Sequence, residues 1–337
     1  MSQEKYSRQA LFQPIGPQGQ EKLLHSSVVI VGCGALGTAQ ANALVRAGVG
    51  TIRIIDRDYV EESNLQRQLL FDESDAAQSL PKAVAAERKL RAINSDIRVE
   101  GIVADVDGHN IESLVEGFGL VLDGTDNFTT RYLINDVSIK LGTPWIYGAV
   151  VASYAATMTV IPGRTPCLAC VFPSSPEGVH DTCDTVGVIG PAVAWAAAIQ
   201  TTEALKILLG QFDQLHNSLL ACDLWTNHFQ QVKPKANPDC RVCKAREFVH
   251  LGARTSATTT LCGRDAVQIS PAESRNLNLQ SLRTRLEPLG EVRSNDYLLR
   301  FQVGEHDLTV FPDGRAIIKG THDPAIARSF YAKYIGS

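Results

Sequence analysis

Four cysteines in two CxxC pairs, Cys167/Cys170 and Cys240/Cys243, make the donor set of a closed tetrahedral metal site. They follow a glycine loop, Gly32, Gly34 and Gly37, of the kind that brings backbone amides to a phosphate. A nicotinamide dehydrogenase needs only the loop; this chain has both. Four thiolates leave no open position for water, so the metal reads as structural zinc rather than as a catalytic or redox centre. The roughly 70 residues between the pairs exceed the span of a small zinc ribbon, so the metal would tie distant segments of one domain together.

The residues after the loop carry charge. Asn64, Gln66 and Arg67 lie in Glu62-Ser63-Asn64-Leu65-Gln66-Arg67-Gln68, and Lys82 opens the next helical pattern. Hydride transfer has no use for cations there. Nucleotidyl transfer does, because negative charge builds on the α-phosphate and the departing pyrophosphate. Asp126, in Thr125-Asp126-Asn127, would hold a hydrated Mg²⁺ bridging phosphate oxygens; its competing role is to cap the helix that begins near Phe128.

These side chains need a parallel sheet to converge. Val28 to Val31 reads as a buried strand, followed by the glycine loop and an alanine-rich helix to about Ala47; Ile52 to Ile55 is a second strand. Asp56 then lies 24 residues after Gly32, close to where a ribose-binding acid belongs. A helix from Leu80 to Ile93, a strand near Ile97 to Val103 and a strand Gly119 to Leu122 ending at Asp123 continue the pattern. The expected fold class is α/β: a Rossmann-like doubly wound sheet, mostly parallel, with a structural zinc site and a small C-terminal α+β domain. Residues 145–161 read as two β-rich runs, and Pro191 to Leu209 as a buried or subunit-interface helix. The threonine-rich Thr255 to Thr260 reads as a linker, which divides the chain into residues 1–250 and 260–337. The later part is expected to hold two helices and three or four strands.

Bulk composition narrows the class. With 337 residues, 44% of them hydrophobic, the chain can build one large domain and a small one. A formal net charge of -4 offers no basic stripe for nucleic acid and no polybasic run for a membrane. The N-terminus lacks the apolar region of a signal peptide and no stretch of about 18 uncharged apolar residues occurs, so a cytoplasmic location is expected. Eight cysteines in that reducing setting point to metal or thiol chemistry. Cys33 and Cys222 read as packing residues, and so does Cys262, whose alternative is a second sulfur-handling thiol.

Tyr6-Ser7-Arg8-Gln9, the loop Gly32 to Gly37, Asp56 with Asp58, Ser63 to Gln68, Pro81-Lys82, Asp123 to Asn127, both CxxC pairs and Cys183 resemble, in unbroken order over residues 5–246, the MoeB/ThiF branch of the ubiquitin-activating superfamily. The resemblance implies a homodimer that binds Mg-ATP and adenylates the C-terminal Gly-Gly carboxylate of a β-grasp sulfur-carrier protein of molybdopterin or thiamine biosynthesis, releasing pyrophosphate. It implies that Asp56 holds the ribose hydroxyls beside Asp58, that Gly32, Gly34 and Gly37 approach the nucleotide, that Asn64, Arg67 and Lys82 contact phosphates and that Asp126 binds Mg²⁺. Arg8 would reach the γ-phosphate from the other subunit. Cys183 matches the reactive cysteine that takes an acyl group or joins in sulfur transfer, and the helix N-terminus at Gly190-Pro191 would favour its thiolate.

Longer members of the family end in a rhodanese domain; the last 80 or so residues here have no such loop, and their role is open. The competing readings are adenylation of a small-molecule or tRNA-linked carboxylate, an NAD-dependent oxidoreductase and an inactive scaffold. The acidic balance and the zinc-type cysteines disfavour the first, and Arg67, Lys82 and Asp126 the second.

Overall fold

The computed structural model describes the chain apart from residues 1–3, 175–182, 253–257, 262–264, 272–275 and 337. Cys262 lies outside the described residues. Two compact units result, residues 1–181 with 186–253, and residues 254–337 with 182–185.

The first unit is built on eight strands: β1 (Ser27–Val31), β2 (Thr51–Asp56), β3 (Arg98–Val103), β4 (Leu120–Asp123), β5 (Trp145–Val151), β6 (Tyr154–Val160), β7 (Leu219–Asp223) and β8 (His228–Val232). Their order is β3-β2-β1-β4-β5-β6-β7-β8. The first five run parallel and the last three antiparallel. The central strands read as unbroken apolar runs because helices cover both faces. Val28, Ile30, Ile52 and Ile54 pack with Leu44 and Leu90 on one side, while Val29, Val31 and Val121 pack with Ile134 and Val137 on the other. The chain passes from β1 outward to β2 and β3, then returns to β4 on the other flank of β1. That reversal opens a crevice at the strands' C-terminal ends, where doubly wound sheets bind ligands.

Helix Gly190–Leu208 packs Ala192, Val193, Ala196 and Ala197 against Leu36 and Ala39 of helix Ala35–Ala47. By length and composition it passes as a candidate bilayer span, with mean hydropathy 1.2, but Glu203 and Lys206 interrupt its uncharged run. It contains the buried Glu203, ion-paired to Lys206 at 2.6 Å, and over half of its apolar window is buried within the protein. It is a core helix, which is why its sequence is apolar on most faces.

The second unit is a six-stranded antiparallel sheet in the order β11-β12-β13-β14-β10-β9. Its strands are β9 (Thr258–Leu261), β10 (Ala266–Ile269), β11 (Glu291–Ser294), β12 (Leu299–Val303), β13 (His306–Val310) and β14 (Ala316–Lys319). Helices Leu279–Leu286 and Pro324–Tyr334 seal it through Leu282, Leu286, Ala327 and Tyr331. Asp323 caps the last helix, accepting from the Ala325 N–H at 2.7 Å. Six strands replace the three or four expected, and part of the apparent linker is strand β9.

Candidate active site

Three strand ends and two loops build the crevice. At the end of β1, Gly32 has a positive φ of 93°, and a Cβ there would fall 2.5 Å from the Gly124 carbonyl oxygen. A Cβ on Gly37 would lie 1.9 Å from the Gly32 carbonyl oxygen, so both glycines are dictated by the chain's own backbone. Gly34 is different: a Cβ would meet only Gln68 Nε2, at 3.9 Å. Its missing side chain leaves open space at the N-terminus of helix Ala35–Ala47, where unpaired amides attract an anion and a nucleotide phosphate fits.

Asp56 ends β2 and ties this loop down. Its Oδ2 accepts from the Cys33 N–H at 2.6 Å and its Oδ1 from the Asp58 N–H at 2.7 Å. Burial raises its carboxyl above the usual range, and Lys82 pulls it partly back. Lys82 is buried at the start of helix Lys82–Ile93, its Nζ 3.4 Å from Asp58 Oδ2. The expected phosphate cation therefore stands beside both expected ribose-side acids. Cys33 is fully buried and its thiol is raised well above its ordinary value by burial, as a packing residue should be.

The 62–68 loop is held by its own side chains. Asn64 is buried, its Oδ1 accepting from the Glu61 N–H at 3.2 Å, and Arg67 donates to the Ser63 carbonyl at 2.8 Å. Gln66 reaches the Val188 carbonyl at 3.4 Å, close to the start of helix Gly190–Leu208. Cys183 begins the one-turn helix Cys183–Val186, and its side chain lies outside the described residues.

Past the end of β4, the helix cap belongs to Asn127, whose Oδ1 accepts from the Thr130 N–H at 2.8 Å. Asp126 is exposed, with a single long hydrogen bond among the described residues, from Asn127 Nδ2 at 3.4 Å, so its carboxylate suits a hydrated divalent cation that also binds phosphates.

The support of this loop lies in contacts that no sequence motif marks. Asp123, fully buried, pairs with Arg131 Nε at 3.1 Å and accepts from the Gly148 N–H, while Arg131 donates to the carbonyls of Thr125 and Gly148. Burial alone would lower the Arg131 pKa, yet Asp123 holds it above its usual value. Gln40 and Gln200 donate to the Asp123 carbonyl at 2.9 and 3.1 Å. Two glutamines inside largely apolar helices were the available signal. Replacing Arg131 by Ala is expected to cost about 3–5 kcal/mol in urea unfolding, because Asp123 is left charged and buried; a loss below about 1 kcal/mol would show that the pair bears no such burden.

Arg8 sits elsewhere. Its helix, Ser7–Ala10, docks on the far end of helix Ala35–Ala47: Gln9 Nε2 donates to the Ala47 carbonyl at 2.8 Å, and a Cβ on Gly48 would lie 2.6 Å from the Tyr6 ring. Thirteen helical residues, about 20 Å at 1.5 Å each, separate that end from the glycine loop. Arg8 is exposed, with no hydrogen bond or ion pair among the described residues.

The four cysteines converge, all sulfurs lying within 4.8 Å of one another. Cys167–Cys240 and Cys170–Cys243 are 3.6 and 3.5 Å apart, and Cys167–Cys170 is 3.9 Å. Disulfides need about 2.05 Å. A tetrahedron of 2.3 Å Zn–S bonds has edges of about 3.8 Å, so the cluster fits zinc. Burial raises the Cys167 thiol and pushes Cys243 up to about 11; for Cys240 burial is outweighed by the N–H groups of Cys243 and Val242, which lower it.

A family model described as the ThiF family matches residues 6–242. The chain belongs to the ThiF family. It is 46% identical to the sulfur carrier protein ThiS adenylyltransferase of Bacillus subtilis, over 98% of this chain and 99% of that one. It is 41% identical to the SAMP-activating enzyme E1 of Haloferax volcanii, over 71% of this chain and 88% of the relative. Among solved structures, E. coli MccB determined with ATP is 25% identical, with a TM-score of 0.62 over 71% of this chain and 74% of that one. The Bacillus match spans both units, so the second unit of this ThiF-family chain is shared with that relative.

Proposed function

We propose that this ThiF-family chain is an adenylyltransferase that activates the C-terminal Gly-Gly carboxylate of a β-grasp sulfur carrier of the thiamine kind, releasing pyrophosphate. The observation that carries this reading is near-complete alignment, at 46% identity, with an enzyme named for acting on ThiS. The crevice supports it. Asp56, beside Asp58, orients the ribose; Gly32, Gly34 and Gly37 let the phosphates approach the helix N-terminus; Asn64, Arg67 and Lys82 neutralise the charge that grows on the phosphates. Mg²⁺ at Asp126 would draw electron density from the phosphates and ease attack by the carrier carboxylate. The four cysteines hold zinc as a structural clip, in a cytoplasmic setting that keeps thiols reduced. Cys183 would serve a later acyl or sulfur transfer and is not needed for adenylation.

The enzyme acts as a homodimer in which Arg8 enters the partner's crevice, since its own is about a helix length away. Mixing inactive Arg8→Ala and Asp126→Ala proteins and allowing exchange should therefore restore about one quarter of wild-type activity. Half the dimers are mixed, and one of their two sites is complete. No recovery would place Arg8 outside the site.

ATP–pyrophosphate exchange, with and without purified carriers ending in Gly-Gly, tests the whole reading. Exchange is expected only when a thiamine-type carrier is added. Exchange with a molybdopterin-type carrier alone would move the pathway, and none with any carrier, in protein that binds ATP, would overturn the reaction.

A further inference from the structure

In the adenylation reading, on which this inference rests, the phosphates lie at the end of β1 and the ribose at Asp56 on the end of β2. The nucleotide then crosses the sheet edge in the direction β1 to β2. Its base must continue toward the end of β3, one strand spacing of about 4.8 Å further on.

That spot is bridged by an ion pair. Arg57, next to Asp56, places a guanidinium nitrogen 3.0 Å from Asp105 Oδ1, two residues past β3, and its Nε 4.0 Å from Asp58 Oδ1. The Asp105 loop is stiff: the Ala104 N–H donates to the Asp56 carbonyl at 3.2 Å, Asn110 Nδ2 donates to the Asp105 carbonyl at 2.7 Å, and Asp107 Oδ1 accepts from the N–H groups of His109 and Asn110. The two side chains are 29% and 23% exposed, enough to meet a ligand while remaining partly screened from water.

We propose that Arg57, held by Asp105, is the base-recognition residue, its planar guanidinium stacking on the adenine ring. Guanidinium is flat and weakly hydrated, so it stacks face to face on an aromatic ring, a contact that a compact, strongly hydrated ammonium makes less well. Arg57 acts on affinity and orientation, and Asp105 is a positioning residue that sets the plane.

The test compares calorimetric binding of ATP with that of ribose 5-triphosphate, which has the phosphates and sugar but no base. Arg57→Ala is expected to weaken ATP about tenfold and to leave the base-free compound within about twofold. Arg57→Lys, which keeps the charge and loses the plane, should resemble Arg57→Ala, and Asp105→Asn should fall between it and wild type. Thermal melts establish that each variant is folded. Equal weakening of both ligands would assign Arg57 to the phosphates and overturn the inference, as would no weakening or full rescue by lysine. Wild-type protein that binds neither ligand would instead overturn the adenylation reading.

Discussion

Asp126→Ala is expected to reduce carrier-dependent ATP–pyrophosphate exchange by on the order of 10²–10³-fold, with the melting temperature within about 2 °C of wild type. The fold is spared because Asp126 is exposed and the helix cap is made by Asn127. Activity is lost because no other carboxylate extends from that loop: Asp123 is fully buried and committed to Arg131. The complementary variant, Asn127→Ala, should cost about 1 kcal/mol of stability through the lost cap. Exchange within tenfold of wild type in Asp126→Ala would remove the magnesium assignment.

Cys240→Ser should have the largest effect on stability. The clip joins the segment that leaves β6 to the segment that leaves β8, and the sulfurs lie in or beside the second core with Val160, Leu168 and Val242. Structural zinc contributes about 10–16 kcal/mol in isolated finger peptides. A domain with its own core depends on it less, so a loss of about 4–5 kcal/mol is expected, or roughly 10–20 °C in melting temperature. One zinc per chain by elemental analysis in wild type and none in the variant would accompany it. A variant that loses its zinc but melts within about 3 °C of wild type would show that the clip is dispensable.

Much of this was legible in residue order. The buried parallel strands, the glycines between them and Asp56 each follow from local chemistry, and CxxC spacing predicts the donor set. Roles that depend on which neighbour a side chain meets were not legible. Asp126 and Asn127 stand side by side in the sequence, and only the backbone at the start of the helix decides which of them caps it. Arg131 looks like an ordinary helical cation until Asp123 is seen beneath it. Position marks Lys82 as a phosphate ligand, but nothing in residue order shows its pairing with Asp58 across the β2 end. In the second unit, Thr258–Leu261 and Glu291–Ser294 are short and rich in polar or charged residues, so they read as loop; neighbouring strands make them β.

Strand β8 closes the eight-stranded sheet with all five residues exposed, and one of its edges has no partner strand among the described residues. An open edge is a template for another chain's backbone. Two devices limit this one: Lys233-Pro234-Lys235 follows the strand directly, where charge and a missing amide stop its extension, and the cysteine clip a few residues later fixes where the chain must turn. A metal held by these cysteines would guard solubility as well as stability. Protein stripped of it would fail by self-association, losing material to turbidity at a rate that climbs with concentration.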